Sequence, residues 1–400
     1  MHGKLYSVSA SNNNVTYFAK TNFRDDRRYF GLLQKDRLYH FYALGMTGSG
    51  KTTLLHKKIM SDIHRQEDKV GLLVVDVHGD LIANVLRDVP DYRKSDLIHL
   101  DARDPHSQLG YNPLRRVSYE KRALVASNIL EVFQRVWGNQ GWGVKVSHLL
   151  RYIILTLLDQ KSSVFSDVLR LLSDADFRNC CVKHIVNPDV KRFWEQEFPN
   201  YSSKTDLIPI YNKIGGLLSY PSVKRILIEN QQQISLRRIM DQKKILLLNL
   251  SKGAIGSEAS YILGSLLLTS LASSAFSRID TPEHERTPFF VYLDEFQNYT
   301  NLSLVELLSE LRKFKVSMIM AHQYVSQLDP KIRDAVLGNV GSIACFRLGY
   351  DSARIMEKIF HPVFSASDFM NLANYDMYLK LMIYGTPSQP FSATTVPHHS

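Results

Sequence analysis

Short, unbroken apolar runs recur along this chain and stop abruptly at glycine, amide or acid. They are Gly71-Leu72-Leu73-Val74-Val75-Asp76, Ile245-Leu246-Leu247-Leu248-Asn249, Phe289-Phe290-Val291-Tyr292-Leu293-Asp294-Glu295 and Val316 to Met320. Runs of this kind suit strands buried on both faces, and such strands belong to a parallel sheet covered by helices. Asp96 to Leu100 predicts a further short strand, and Ser342 to Phe346 with Tyr378 to Ile383 predicts a closing pair around Arg347, Asp351 and Arg354. From about Ser118 to Met240 the texture changes. Apolar residues there recur at helical spacing, as in Leu149, Tyr152, Ile153, Thr156 and Leu157, with Pro188 and Pro199 as punctuation. That stretch reads as a helical insertion in which Trp137, Trp142 and Trp194 pack in the interior.

Three more helices follow from the pattern. Lys51 to about Gln66 opens after a glycine-rich turn, and Ser257 to Arg278 is long and apolar. Ser303 to Lys313 places Leu304, Leu307, Leu308 and Leu311 on one face, with Ser303 and Glu306 in capping-box spacing. The last of these delivers Arg312 and Lys313 to its C-terminal end. The apolar stretch Ala259 to Phe276 is interrupted by serines and threonines and reads as a buried core helix rather than a membrane span.

The stretch from Leu38 to Leu55 carries the first chemistry. An aromatic and aliphatic strand leads into Gly45-Met46-Thr47-Gly48-Ser49-Gly50-Lys51-Thr52-Thr53 and then a helix. Gly45, Gly48 and Gly50 let the backbone curl, so that its N–H groups and the helix N-terminus converge on a triphosphate. The expected cradle is Gly45, Thr47, Gly48, Ser49, Gly50, Lys51, Thr52 and Thr53, with Lys51 on the β and γ phosphates and Thr52 on Mg²⁺.

The second site is the strand ending in Asp294 and Glu295. With a phosphate loop upstream in the same sheet this matches a Walker B pattern, in which Asp294 holds Mg²⁺ through water and Glu295 polarises the attacking water. Ala321-His322-Gln323 ends the next strand, and an amide there can hydrogen-bond a γ-phosphate or the lytic water. Two groups stay open at this level. Asp76 either faces the ligand crevice or caps the turn Val77-His78-Gly79-Asp80, whose Asp80 is placed to cap the helix Leu81 to Arg87. Asp36, Arg37 and His40 either orient the phosphate loop or read the nucleotide, or else form a salt bridge beside the strand.

Composition narrows the class. Hydrophobic content of 44% over 400 residues supports a sizeable core, and a formal charge of +10 suits a polyanionic partner, either nucleic acid or an anionic membrane surface. Cys180, Cys181 and Cys345 form neither a disulfide framework nor a metal-ligand spacing, which fits a reducing compartment. Met1 to Asn14 has no apolar core, so no signal peptide is expected. The expected organisation is an arm over 1–30, a nucleotide-binding domain over 31–117 and 241–385, an all-α insertion over 118–240 and a mobile tail over 386–400 rich in Pro, Ser and Thr.

Together these motifs resemble the RecA-like DNA-translocating ATPases of the HerA and FtsK type, and most closely the TraG-like coupling proteins of type IV secretion. The likeness runs from Phe30 to Gly349. It includes Asp36-Arg37 with His40, the phosphate loop, the Asp76 to Leu81 turn, Tyr111-Asn112-Pro113-Leu114 and Asn249-Leu250-Ser251-Lys252-Gly253 with Ile255-Gly256. It continues through Leu293-Asp294-Glu295-Phe296, Leu311-Arg312-Lys313-Phe314 and His322-Gln323. The resemblance implies an α/β fold of the P-loop NTPase kind and a homohexameric ring with ATP and Mg²⁺ between subunits and duplex DNA in the pore. It also implies Arg312 as an arginine supplied across the interface, Gln323 as sensor, and the helical insertion at the ring entrance. An interfacial arginine can contribute ~10³ to 10⁵ in rate. The likeness further implies a cytoplasmic motor that docks on membrane-bound secretion or conjugation partners. An ATPase that recruits protein cargo, a nucleotide-locked scaffold and a genome-packaging motor share the same motifs. Val77 stands where resembling sequences often carry proline.

Overall fold

The computed structural model describes residues 14–23, 27–230, 232–299 and 308–396. Two compact units divide the chain. One comprises Met1–His99, Arg237–Asn249 and Ser274–Ser400, and the other Leu100–Leu236 with Leu250–Ser273. The second unit is wider than the insertion expected at 118–240, because it starts earlier and takes in most of the apolar helix after Asn249.

The first unit is built on a sheet whose strands, among the described residues, are β1 (Val15–Thr21), β2 (Tyr29–Leu33), β3 (Phe41–Leu44), β4 (Gly71–Asp76), β5 (Leu97–Asp101), β6 (Ile245–Asn249), β7 (Phe289–Leu293), β8 (Val316–His322), β9 (Ser342–Cys345), β10 (Asp376–Lys380) and β11 (Phe391–Thr395). Their order is β2-β1-β11-β10-β9-β3-β8-β7-β4-β6-β5. The stretch β9-β3-β8-β7-β4-β6 is parallel throughout, as the apolar runs require. Every residue of β3, β4, β6, β7, β8 and β9 is buried. Helices α1 (Lys51–Ile63) and α2 (Asp80–Asp88) cover one face through Leu54, Leu55, Ile59, Leu81, Ile82 and Val85.

Beyond β9 the sheet turns antiparallel, and here two expectations fail. The segment 386–400 is not a tail through its described part. Phe391–Thr395 forms β11, paired on one side with β10 and on the other with β1. Its Ser and Thr positions suggested a loop, but β-branched threonines also suit a half-buried strand, and Ala393 and Thr395 alternate inward. The expected arm likewise supplies β1 and β2, which bury Val15, Phe18, Ala19 and Phe30.

A buried polar network ties the first unit together. Arg37 donates to both oxygens of Asp62 at 2.5 and 2.7 Å, to Thr16 at 2.7 Å and to the Tyr292 hydroxyl at 2.9 Å. Its guanidinium lies over the Phe290 ring at 3.7 Å. Asp36 instead accepts the backbone N–H groups of Tyr384 and Gly385. His40 accepts from the Met318 N–H at 3.0 Å and meets the Leu308 carbonyl at 2.7 Å. All three residues are structural anchors.

The second unit is helical, with α3 (Tyr119–Gly141), interrupted at Gly138 (φ 64°), α4 (Val144–Asp159), and α5 (Ser257–Phe276), whose residues to Ser273 belong here. Trp137 stacks on Phe133 at 4.8 Å and on Trp142 at 5.7 Å, and the Trp194 indole donates to Thr156 at 2.7 Å. These are packing roles. Asn112 orders its loop by donating to the Ser163 carbonyl at 2.6 Å and accepting the Leu114 N–H. The helix Ser257–Asp280 is long and apolar enough to cross a membrane, yet 72% of its most apolar window is buried inside the protein. It is a core helix.

Candidate active site

All the converging groups sit at the C-terminal rim of the parallel strands. β3 ends at Leu44, level with His322 of β8 and Cys345 of β9, so the loop Gly45–Gly50 rises between the ends of its two neighbours. Its backbone is pinned on both sides. The Gly45 N–H donates to the His322 carbonyl at 3.2 Å and the Met46 N–H to the Arg347 carbonyl at 2.9 Å, while the Ser49 carbonyl accepts the Tyr375 N–H at 2.8 Å. Gly48 (φ 75°) and Gly50 (φ 122°) take left-handed conformations that a side chain would strain. A Cβ on Gly45 would stand 2.6 Å from the Phe346 side chain, whereas the space above Gly48 is open. Phe346 and Tyr375 therefore form the floor of the loop.

Lys51 begins α1 and folds back, donating to the Gly45 carbonyl at 2.7 Å and the Met46 carbonyl at 3.1 Å. Burial lowers its pKa, and the charges of Glu295 and Asp294 oppose that fall. The Thr52 side chain is exposed in the first turn of the helix, where N–H groups and the helix dipole face an incoming anion.

β7 runs level with β8, pairing Leu293 with Met320, and with β4, pairing Leu293 with Val75. Asp294 thus emerges between the ends of β4 and β8, its N–H donating to the Val75 carbonyl at 3.2 Å, and Glu295 follows as the chain leaves the sheet. Burial pushes the Asp294 carboxyl up to about 6, helped by the negative charge of Glu295 and then Asp76, with Lys51 pulling the other way. Three carboxylates facing one ammonium leave the site short of positive charge, which a divalent cation would supply. Among the described residues no set of three His, Cys, Asp or Glu forms a metal cage. Mg²⁺ is held by one or two carboxylates together with phosphate oxygens and water, and Asp294 is a carboxylate of the kind it takes.

Glu295 has φ 50°, an uncommon conformation for a non-glycine residue. Its carboxylate accepts from Gln297 at 2.6 Å and from the Gln323 amide. The Gln323 side-chain carbonyl in turn accepts the Thr47 hydroxyl at 3.1 Å. A continuous chain of hydrogen bonds therefore runs from the phosphate loop through Gln323 to Glu295.

Asp76 settles as an anchor. Its two oxygens accept the N–H groups of His78 at 2.8 Å and Ile82 at 3.1 Å. Asp80, expected to cap the following helix, is that helix's first residue, and the helix start is stabilised from Asp76 instead.

The family model for the type IV secretion-system coupling protein DNA-binding domain matches residues 32–332. The chain belongs to this family. Solved structures with the same fold include the plasmid coupling protein TrwB in complex with the non-hydrolysable GTP analogue GDPNP, with TM-score 0.63 and 16% identity over 92% of this chain and 87% of that one. TrwB in complex with ADP and Mg²⁺ matches with TM-score 0.61 and 16% identity over 92% and 86%. VirB4 of Thermoanaerobacter pseudethanolicus matches with TM-score 0.61 and 12% identity over 96% and 97%. At these identities the likeness establishes the fold. Comparison of the sequence with curated proteins gives no match.

Within this coupling-protein chain, the expected site residues fall into two places. Gly45, Thr47, Gly48, Ser49, Gly50, Lys51, Thr52, Thr53, Asp294, Glu295 and Gln323 share one rim of the sheet. Arg312 lies at the other. It precedes β8, whose seven residues span about 23 Å at ~3.3 Å per residue. There its guanidinium stacks on the Tyr39 ring at 3.5 Å and donates to the Tyr39 hydroxyl at 2.6 Å. Residues 301–307, which carry Leu304, Leu307 and the Ser303 and Glu306 pair, lie outside the described residues. Leu308–Leu311 is helical, and Arg312–Phe314 forms a 3₁₀ turn. The sequence did not disclose Phe346, Tyr375 or Gln297, because only tertiary packing brings the first two beneath the loop and no motif marks the third.

Proposed function

We propose that this coupling-protein-family chain is an ATP-hydrolysing motor that moves DNA through a homohexameric ring. The observation that carries the reading is the chain of hydrogen bonds joining the phosphate loop, Gln323 and Glu295 at one sheet rim, with Lys51 and Asp294 beside it. A bound Mg²⁺ would neutralise phosphate charge and orient the triphosphate. Thr52 and Asp294 are the residues placed to hold it.

The chain's own residues divide the remaining work. Gly48, Ser49, Gly50 and the first turn of α1 present N–H groups to the phosphates, and Lys51 exchanges its loop carbonyls for β and γ oxygens. Glu295 orients the attacking water and accepts its proton. Gln323, bonded on one side to the loop and on the other to Glu295, reports whether the γ-phosphate is in place. Arg312 is too far along β8 to serve its own site, so it acts on the neighbouring subunit. The helical unit takes the part of the all-α domain at the ring entrance. The motor works on the cytoplasmic side and docks through membrane-bound partners, and the net positive charge suits a path along a phosphate backbone.

The test is ATP turnover of the full chain with duplexes of increasing length at several salt concentrations. Turnover should rise with duplex length and fall as salt rises. Turnover indifferent to DNA but raised by protein tails would replace the motor with a cargo receptor, and nucleotide-dependent assembly without turnover would replace it with a scaffold. Electron microscopy with a non-hydrolysed ATP analogue reads the ring directly.

A further inference from the structure

One buried polar group at the sheet rim is used by nothing above. His322 ends β8 and is fully buried; it stands two residues past Met320, which pairs with Leu293 two residues before Glu295, and its chain neighbour Gln323 donates to Glu295. Its Nδ1 lies 2.8 Å from the Tyr42 hydroxyl on β3. Its Nε2 has no hydrogen-bond partner among the described residues.

The tautomer follows from counting partners. Burial holds the Tyr42 phenol far above its usual pKa, so it keeps its proton, and burial lowers the His322 imidazole to about 4, so the ring is neutral. If Nδ1 carried the ring proton, the Tyr42 O–H would have no acceptor and Nε2 no donor, leaving two unmet groups. If Tyr42 donates to Nδ1, a single unmet group remains, the Nε2–H. The imidazole is therefore a neutral donor, locked by the phenol and fixed at the end of a fully buried strand. Glu295 and Lys51 are both within electrostatic reach of it.

We propose that His322 is a positioning residue for Glu295, its Nε2–H taking up the carboxylate when Gln323 lets go. The Gln323 amide NH₂ donates to Glu295. A γ-phosphate oxygen can accept only from a donor, and in the proposed step the Gln323 amide turns as a whole to aim its NH₂ at the phosphate. Glu295 then loses a partner within electrostatic reach of the His322 imidazole. A neutral imidazole N–H there holds the carboxylate in place without neutralising it, whereas a cation would weaken it as a base. Tyr42 keeps the donor end pointing the right way, so the pair acts as one unit.

This inference rests on the ATP-hydrolysis reading, and the experiment separates the two. The full chain labelled with ¹⁵N-histidine, free of nucleotide, should show His322 with a protonated Nε2 and an acceptor Nδ1, and Tyr42→Phe should shift that balance. In ATP turnover, His322→Phe should lower kcat roughly tenfold with KM for ATP unchanged, the size expected when an outer partner that orients a reacting group is lost. His322→Gln, which keeps an N–H at the ε position, should recover most of the loss. Tyr42→Phe should fall between them. An active wild type with unaltered kcat in Tyr42→Phe and His322→Phe, or a His322 signal with bare Nε2, overturns the proposal. If His322→Phe does not fold, Tyr42→Phe and the ring-nitrogen signals decide. A wild-type chain that does not turn over ATP overturns the functional reading of the site instead.

Discussion

The ammonium of Lys51 donates to the carbonyl of Gly45 at 2.7 Å, across the mouth of the loop that precedes its helix. The cation is thus held by the backbone of its own loop. Lys51→Ala removes a buried charge and leaves the Gly45 and Met46 carbonyls without that donor, so the chain should stay folded with a change in stability of no more than about 1–3 kcal/mol. ATP turnover should drop at least ~10²-fold, as when one preorganised electrostatic partner is removed. Paired measurements of melting and steady-state turnover check this. Wild-type turnover in the variant would sink the assignment of the loop.

Glu295→Gln keeps the shape and the capacity to accept from Gln323 through its carbonyl, while removing the base. Nucleotide binding should survive and hydrolysis should fall by ~10² to 10⁴. Equilibrium binding of a fluorescent ATP analogue beside single-turnover hydrolysis separates the two effects. Loss of binding in parallel with turnover would mean that Glu295 holds the ligand rather than the water.

Arg312 stacks on Tyr39 at the far rim of the sheet from its own phosphate loop. Arg312→Ala should therefore lose ~10³-fold or more in turnover while binding nucleotide normally. Mixing it with Lys51→Ala subunits should restore part of the activity, because a ring of both kinds contains interfaces with an intact loop on one side and an intact arginine on the other. Mixtures no more active than either variant alone would remove Arg312 from the neighbouring site.

Asp62 is the sole carboxylate bonded to the buried Arg37 guanidinium among the described residues, and it also accepts the Tyr292 hydroxyl at 2.6 Å. Asp62→Asn leaves that cation buried without its counter-charge, a change that typically costs about 3–5 kcal/mol. The denaturant midpoint should fall accordingly, with catalysis per folded molecule intact. A shift below about 1 kcal/mol would show that water or another group compensates Arg37.

His40 is held neutral by the Met318 N–H on Nδ1, and burial lowers its pKa to about 4. A lowered folded-state value means the unfolded chain binds the proton more readily. Its contribution is therefore complete above the ordinary histidine value near 6.5, falls as pH drops, and is gone below about 4. Between pH 7 and pH 5 it should remove about 2 kcal/mol of unfolding free energy. His40→Asn tolerates the residue's positive φ of 65° and does not titrate, so the slope across that interval should flatten. An unchanged slope would assign the acid sensitivity to other groups.

Much of the fold was readable because the residues in question act locally. The runs at Gly71–Asp76, Ile245–Asn249 and Phe289–Leu293 are apolar without alternation, and only a strand covered on both faces needs that. The phosphate loop was readable for the same reason, since its glycines, lysine and threonine are consecutive. The misreadings are all non-local. Asp76 anchors an N–H six residues on, so Asp80 looked like the better cap. Phe391–Thr395 becomes a strand only because β1 and β10 flank it. Tyr375 reaches the loop through its backbone, which no side-chain pattern can announce.

The position of β11, wedged between β1 and β10, has a consequence for synthesis. β1 and β2 are made before the other described strands and, among the described residues, join the sheet only through β11. Until that strand is released, both β1 and β10 carry a bare edge able to recruit a foreign chain. Translation that stalls or terminates before Phe391 should therefore yield aggregating material rather than a slightly shortened enzyme.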